Sequence, residues 1–291
     1  MSEKPELVVD AAAIVGEGPY WASNSSLLWV DILGRKVFRF DPSTDRNTTE
    51  FEHPVENVAF VLEEADDGLL IGLNRSVHTL ADGELSEPFV HLVDAGVEES
   101  LNDATIDPAG NLWVGTYENN RAPGKGSLWR VSPAGEAMTV LDGLTLPNGI
   151  GFSPDGTEMY VADSLNYKVL AFRVDLSTGK LTHRRELLAD DANGLPDGLA
   201  VDVEGNVWVA FWGGSCVKAL RSDGTEVHRV AFPVTQVASC AFAANGWLYA
   251  TTARAFLDDD AIAEQPLAGG LFRVQVGVDG VPIQRFDRGR E

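Results

Sequence analysis

The side chains best equipped for chemistry stand in one column of a repeat. Glu17, Asn57, Asn102, Asn148, Asp197 and Ser239 each open a short apolar run that leads through a turn into a second apolar run. The column holds two carboxylates, three amides and a hydroxyl, with neither Lys nor Arg among them. Carboxylates brought close repel one another unless something cationic lies between them. Oxygen donors such as Glu17, Asn148 and Asp197 suit a hard divalent cation, with water filling the remaining positions. Each residue taken singly also has a plainer role, capping the start of a strand. The column taken whole argues for binding, because such positions ordinarily admit Gly, Pro or Thr as readily.

The elements that must position this column are legible around it. Pro147-Asn148-Gly149-Ile150-Gly151-Phe152 runs through Ser153-Pro154-Asp155-Gly156 into Met159-Tyr160-Val161-Ala162-Asp163, which reads as one β-hairpin with its turn. The same pattern recurs from Leu101 to Val114 and from Pro196 to Val209. Weaker copies begin at Glu17, Asn57 and Ser239, and the six starts are spaced 40 to 49 residues apart. A period of that size with several short strands per unit is the signature of a β-propeller. The expected fold is all-β, a six-bladed β-propeller of four-stranded blades, with the strand near Glu6–Ala13 closing the last blade. No amphipathic helical pattern interrupts the units, which argues against a βαβ sheet. No linker divides the chain, so residues 1–291 are expected to form a single domain. In a propeller the innermost strand of each blade lines the central channel, so residues at its start face one another across one mouth.

Composition narrows the function. The net charge of −22 over 291 residues argues against nucleic acid and anionic membranes as partners and favours cations near the surface; its bland reading is solubility. Two cysteines, Cys216 and Cys240, are too few for a disulfide framework. With no apolar run of about 18 residues and no basic-then-apolar leader, the expected location is cytoplasmic. The histidines, His53, His78, His91, His183 and His228, all fall outside the column, so a Ser-His-Asp triad or a His-rich zinc site lacks its parts. No Gly-rich phosphate loop opens a helix. Cys240, beside the column, is expected to be a buried structural thiol.

Several motifs match a known family in order. Glu17-Gly18-Pro19 with Trp21, Leu101-Asn102-Asp103 with Asp107-Pro108-Ala109-Gly110, Pro147-Asn148-Gly149 with Ser153-Pro154-Asp155-Gly156, Pro196-Asp197-Gly198 with Gly205-Asn206-Val207-Trp208, and Thr251-Thr252-Ala253-Arg254 resemble the SMP-30/gluconolactonase/regucalcin-like (LRE-like) family. The resemblance runs from about Val8 to Val276. It implies hydrolysis of a small, sugar-acid lactone and one divalent metal ion, Ca²⁺ foremost, with Zn²⁺, Mn²⁺, Mg²⁺ or Fe²⁺ as alternatives. It further implies Glu17, Asn148 and Asp197 as metal ligands, Asp197 also as general acid/base, and Asn102 as a substrate-holding residue. Two substrate positions depart from the family. Ser100 stands where members acting on sugar lactones often carry Arg, and a short hydroxyl cannot make the bidentate contacts of a guanidinium. An acidic position falls near Glu118-Asn119-Asn120, placing Asn120 as a second substrate contact. Phe211 and Trp212 either make the pocket more apolar or pack between blades. Two other functions stay open: a hydrolase of phosphotriesters or apolar lactones on the same fold, and a non-catalytic Ca²⁺-binding propeller.

Overall fold

A computed structural model describes residues 4–189 and 194–289, so the outermost residues of the 1–291 unit lie outside it. Six sheets are built from consecutive strands, each meandering outward from an inner strand. The inner strands are Gly16–Trp21, Val58–Glu63, Glu99–Ile106, Pro147–Phe152, Leu195–Val201 and Val237–Ala243, and each touches the next, the last returning to the first. The architecture is the six-bladed β-propeller expected from the repeat. Glu6–Val9 pairs antiparallel with Leu271–Gln275 and supplies the outermost strand of the last blade, so the two ends of the chain share one sheet. Blade 2 departs from the regular pattern: its outer position is divided between the two-residue strands Glu84–Leu85 and Val90–His91. Among the described residues no helix is long and apolar enough to cross a membrane.

Two blades lock their first hairpin with the same device. Asp107 accepts from the backbone N–H groups of Ala109 and Asn111, from Asn111 Nδ2, and from Trp113 Nε1 at 2.8 Å. Asp202 does the same for Glu204, Asn206 and Trp208, whose Nε1 lies 2.9 Å from its carboxylate. The motif therefore gives a turn acceptor, a Gly with positive φ (Gly110 at 85°, Gly205 at 86°), and a Trp whose ring enters the core while its one polar atom is paired.

The hairpins joining first and second strands all open at the end of the channel away from the column. There the C-terminal segment crosses the ring. Val281 N donates to Val201 O in blade 5, Asp279 Oδ1 accepts from Gly246 N in blade 6, and Phe286 exchanges backbone bonds with Glu63 and Ala65 in blade 2. Phe286 is fully buried there. Above this crossing lies a cavity of about 590 Å³ lined by inner-strand residues, among them Phe60, Ile150, Leu199 and Cys240. The C-terminal segment spans one end of the channel, and the column stands at the other.

Candidate active site at the channel mouth

Each inner strand carries an irregularity in its pairing at the level of the column. The register shifts fall between Glu17 and Tyr20, Val58 and Phe60, Leu101 and Ala104, Pro147 and Ile150, Pro196 and Leu199, and Val237 and Ser239. A bulge adds a residue to one strand and re-aims its side chain, a device common beside active sites. In blades 3, 4 and 5 the bulged residues include Asn102 with Asp103, Asn148, and Asp197, and in blade 1 Glu17, paired with Val30, is the last residue in register before the bulge at Gly18-Pro19. The glycines that follow in blades 4 and 5 make room for neighbouring inner strands. A Cβ on Gly149 would stand 2.3 Å from Leu199 N, and one on Gly198 would stand 1.9 Å from Ser239 Oγ.

Two further carboxylates hold the chain just before the column. Asp31 accepts from Ile14 N and Val15 N, both at 2.9 Å, immediately ahead of Gly16-Glu17. Asp163 accepts from Thr145 N and Leu146 N, immediately ahead of Pro147-Asn148. Both end the second strand of their blade, so the second strand fixes where the first one starts. Asn148 is oriented from both sides. Its Nδ2 donates to Ser164 Oγ at 3.0 Å, and its Oδ1 accepts from Asn102 Nδ2 at 2.9 Å, which also donates to Pro147 O.

Glu17, Asn148 and Asp197 are buried, and Asn102 and Asp103 half-buried. Desolvation, with the Asp103 charge adding to it, pushes the Glu17 carboxyl up to about 8. Desolvation raises Asp103 to about 6. Asp197 is raised well above the usual carboxylate range by desolvation and then by the charges of Glu17 and Asp103. One oxygen of Asp197, Oδ1, is buried and accepts no hydrogen bond among the described residues. Three acids thus crowd one mouth with no basic group among them. No three His, Cys, Asp or Glu side chains of the described residues group as a metal site. Asn148 could add a neutral oxygen to those of Glu17 and Asp197 for a cation held here, and the Asp103 charge acts on both carboxyls.

The remaining expectations fall in several places. Ser239 is buried against Gly198 in the ring of inner strands. Asn57 precedes its strand, its backbone N–H bound to Asn74 Oδ1. Ser100 donates to Asn119 Oδ1, and Asn120 is exposed and donates to Glu118 Oε1, so both lie in a polar cluster at the rim. Phe211 is wholly buried in a cluster spanning blades 4 and 5, whereas the half-buried Trp212 meets the exposed Phe256. Cys240 is buried, its thiol pushed up by desolvation, and Sγ donates to Trp208 O. Asp103 was overlooked because strict alternation along the strand would turn it away from the mouth when Asn102 faces it. The bulge is what puts both residues into one site. The regular recurrence of Asp at the ends of Trp29-Val30-Asp31 and Tyr160-Val161-Ala162-Asp163 was the available signal for the two clamps.

The fold and the site define a six-bladed propeller with a carboxylate-rich, amide-framed mouth at one end of its channel. Within it, residues 15–254 match the family described as SMP-30/Gluconolactonase/LRE-like region, and the chain belongs to that family. It is 35% identical to a pentonolactonase of Haloferax volcanii over 96% of this chain and 97% of the relative. It is 32% identical to regucalcin of Xenopus laevis over 98% and 99%. Among solved structures, a calcium-binding protein, regucalcin, from Agrobacterium tumefaciens superposes with a TM-score of 0.90 at 28% identity, covering 96% of each chain.

Proposed function

We propose that the protein is a metal-dependent lactonase that opens a small sugar-acid lactone to its hydroxy acid. The observation that carries this reading is the buried Asp197 Oδ1, unpaired among the described residues and set beside the charges of Glu17 and Asp103. A buried oxygen without a partner costs about 1–3 kcal/mol, and neighbouring anions add to that. A divalent cation relieves both, so the residues present fit one. Glu17, Asn148 and Asp197 would hold it through oxygen, which suits Ca²⁺ best and Mg²⁺, Mn²⁺, Zn²⁺ or Fe²⁺ also. When bound, such a cation polarises a carbonyl and stabilises charge developing on its oxygen.

The chain's own groups do the rest. Asp197 takes the proton from the water that attacks the lactone carbonyl carbon, and returns it to the ring oxygen as the C–O bond breaks. Asn102, whose two amide N–H donors are taken by Pro147 O and Asn148 Oδ1, holds Asn148 in place and keeps its own Oδ1 to accept from a substrate hydroxyl. Burial of the mouth keeps competing solvent from these carboxylates. The relative named as a pentonolactonase supports this class of reaction.

The calcium-binding regucalcin structure favours a second reading, a propeller that binds calcium without turnover. Chelator-stripped and reloaded protein, assayed for acid release on a panel of 1,4- and 1,5-lactones, separates the two. The lactonase reading expects turnover that disappears on stripping and returns with metal. Bound calcium with no turnover on any lactone would favour the second reading, and equal turnover with and without metal would sink the metal assignment.

A further inference from the structure

The column's end of the channel has a roof. Three loops joining second to third strands open there: 119–125 in blade 3, 213–215 in blade 5 and 253–270 in blade 6. Blades 3 and 6 stand opposite each other in a ring of six, yet the Arg121 guanidinium carbon lies 5.7 Å from the centroid of the Phe256 ring. Opposite blades can meet in this way only above the channel axis. Trp212, at the end of the second strand of blade 5, meets the Phe256 ring edge-on with centroids 6.5 Å apart.

Packing does not explain this contact. Phe256 is 77% exposed, and the Arg121 guanidinium makes no hydrogen bond or ion pair among the described residues. Both residues also hold left-handed backbone, φ 59° at Arg121 and 64° at Phe256, which side-chain-bearing residues avoid. An exposed aromatic in a strained conformation points to a use for the side chain. The base of its loop is firm: Arg254 donates to Ala268 O at 2.7 Å and to Pro266 O at 2.9 Å, and Asp258 caps the helix Asp259–Glu264. Phe256 is held out over the mouth by an anchored frame.

The geometry points to Arg121, Phe256 and Trp212 as the substrate-recognising roof of this channel. The guanidinium donates hydrogen bonds to the hydroxyls of a polyhydroxylated lactone ring, and the ring's C–H face packs on the two aromatics. A guanidinium offers five donors and no acceptor, matched to a rim of hydroxyl oxygens. The inference rests on the lactonase reading and refines its substrate. It also supplies, from the loop after the second strand of blade 3, a guanidinium that Ser100 on the first strand cannot provide.

The test compares metal-loaded wild type with Arg121→Ala, Arg121→Lys and Phe256→Ala, each checked for an unchanged melting temperature. Substrates are a trihydroxylated 1,4-pentonolactone and unsubstituted γ-butyrolactone. Arg121→Ala should lower the kcat/KM ratio of hydroxylated to unsubstituted lactone by about 10-fold or more, mainly through KM, as expected for lost hydrogen bonds to a charged donor. Arg121→Lys should restore part of that ratio, and Phe256→Ala should raise KM for both substrates. An unchanged ratio in Arg121→Ala overturns the inference while leaving the lactonase reading intact. Calorimetric binding of a 1,4-anhydropentitol, which has the ring hydroxyls and no carbonyl, gives a readout without turnover. Binding weakened by Arg121→Ala supports the roof even if no lactone is hydrolysed, and binding equal in both proteins, or none in either, counts against it.

Discussion

Asp197 is asked to do two things, and a single substitution separates them. Asp197→Asn keeps the shape and one oxygen donor but cannot accept a proton near neutrality. With metal content restored by excess ion and verified by elemental analysis, turnover of the best lactone should fall about 100-fold or more, the scale of a lost general base. A fully loaded Asp197→Asn protein working at the wild-type rate would remove the proton-transfer role and leave Asp197 as a ligand alone. Glu17→Gln should instead act on occupancy, since a neutral amide replaces a charged donor. Asp103 is expected to act through its field. It is close enough to raise both Glu17 and Asp197 in the metal-free protein, so Asp103→Asn should weaken metal binding less than Glu17→Gln does, as measured by competition with a chelator.

The hairpin lock around Asp107 sets a different kind of expectation, on stability alone. Removing its carboxylate in Asp107→Ala strands the buried Trp113 Nε1, the Asn111 side chain and two backbone N–H groups. The cost should be about 2–4 kcal/mol, read as a lower denaturation midpoint, with kcat unaffected once the protein is folded. Loss of activity in proportion well beyond the loss of folded protein would show that blade 3 transmits this turn to Asn102. Elements of this kind explain how much the sequence discloses. Six blades, their first hairpins and the closure by Glu6–Val9 were legible because each repeat restates the same apolar runs and turn residues. The column was legible because polar residues open those runs in register. What escaped is what the repeat does not encode. The bulge that brings in Asp103 is a break in alternation, the segment from Asp279 to Phe286 follows the last repeat, and the meeting of Arg121 with Phe256 depends on two loops 135 positions apart in the chain.

For the molecule as a whole, the acid-rich mouth ties stability to pH in a direction opposite to that of most carboxylates. In the metal-free fold Glu17 keeps its proton up to about pH 8, whereas in the unfolded chain it is released near the ordinary 4.5. Between those values the folded state binds more protons than the unfolded state, so stability falls as pH rises through the window. Asp103, raised to about 6, and Asp197, raised further by its neighbours, act in the same direction. Chelator-stripped protein should therefore melt several degrees lower at about pH 8 than at about pH 5. A bound cation compensates the same charges, so reloading with Ca²⁺ should raise the melting temperature more at the upper end of the window than at the lower. Glu17→Gln carries one ionisable group fewer, and its stripped form should show a shallower decline. Should stripped wild type hold or gain stability from pH 5 to pH 8, the three carboxyls are being compensated by something other than a metal ion, and the assignment of the mouth as a cation site would fall with it.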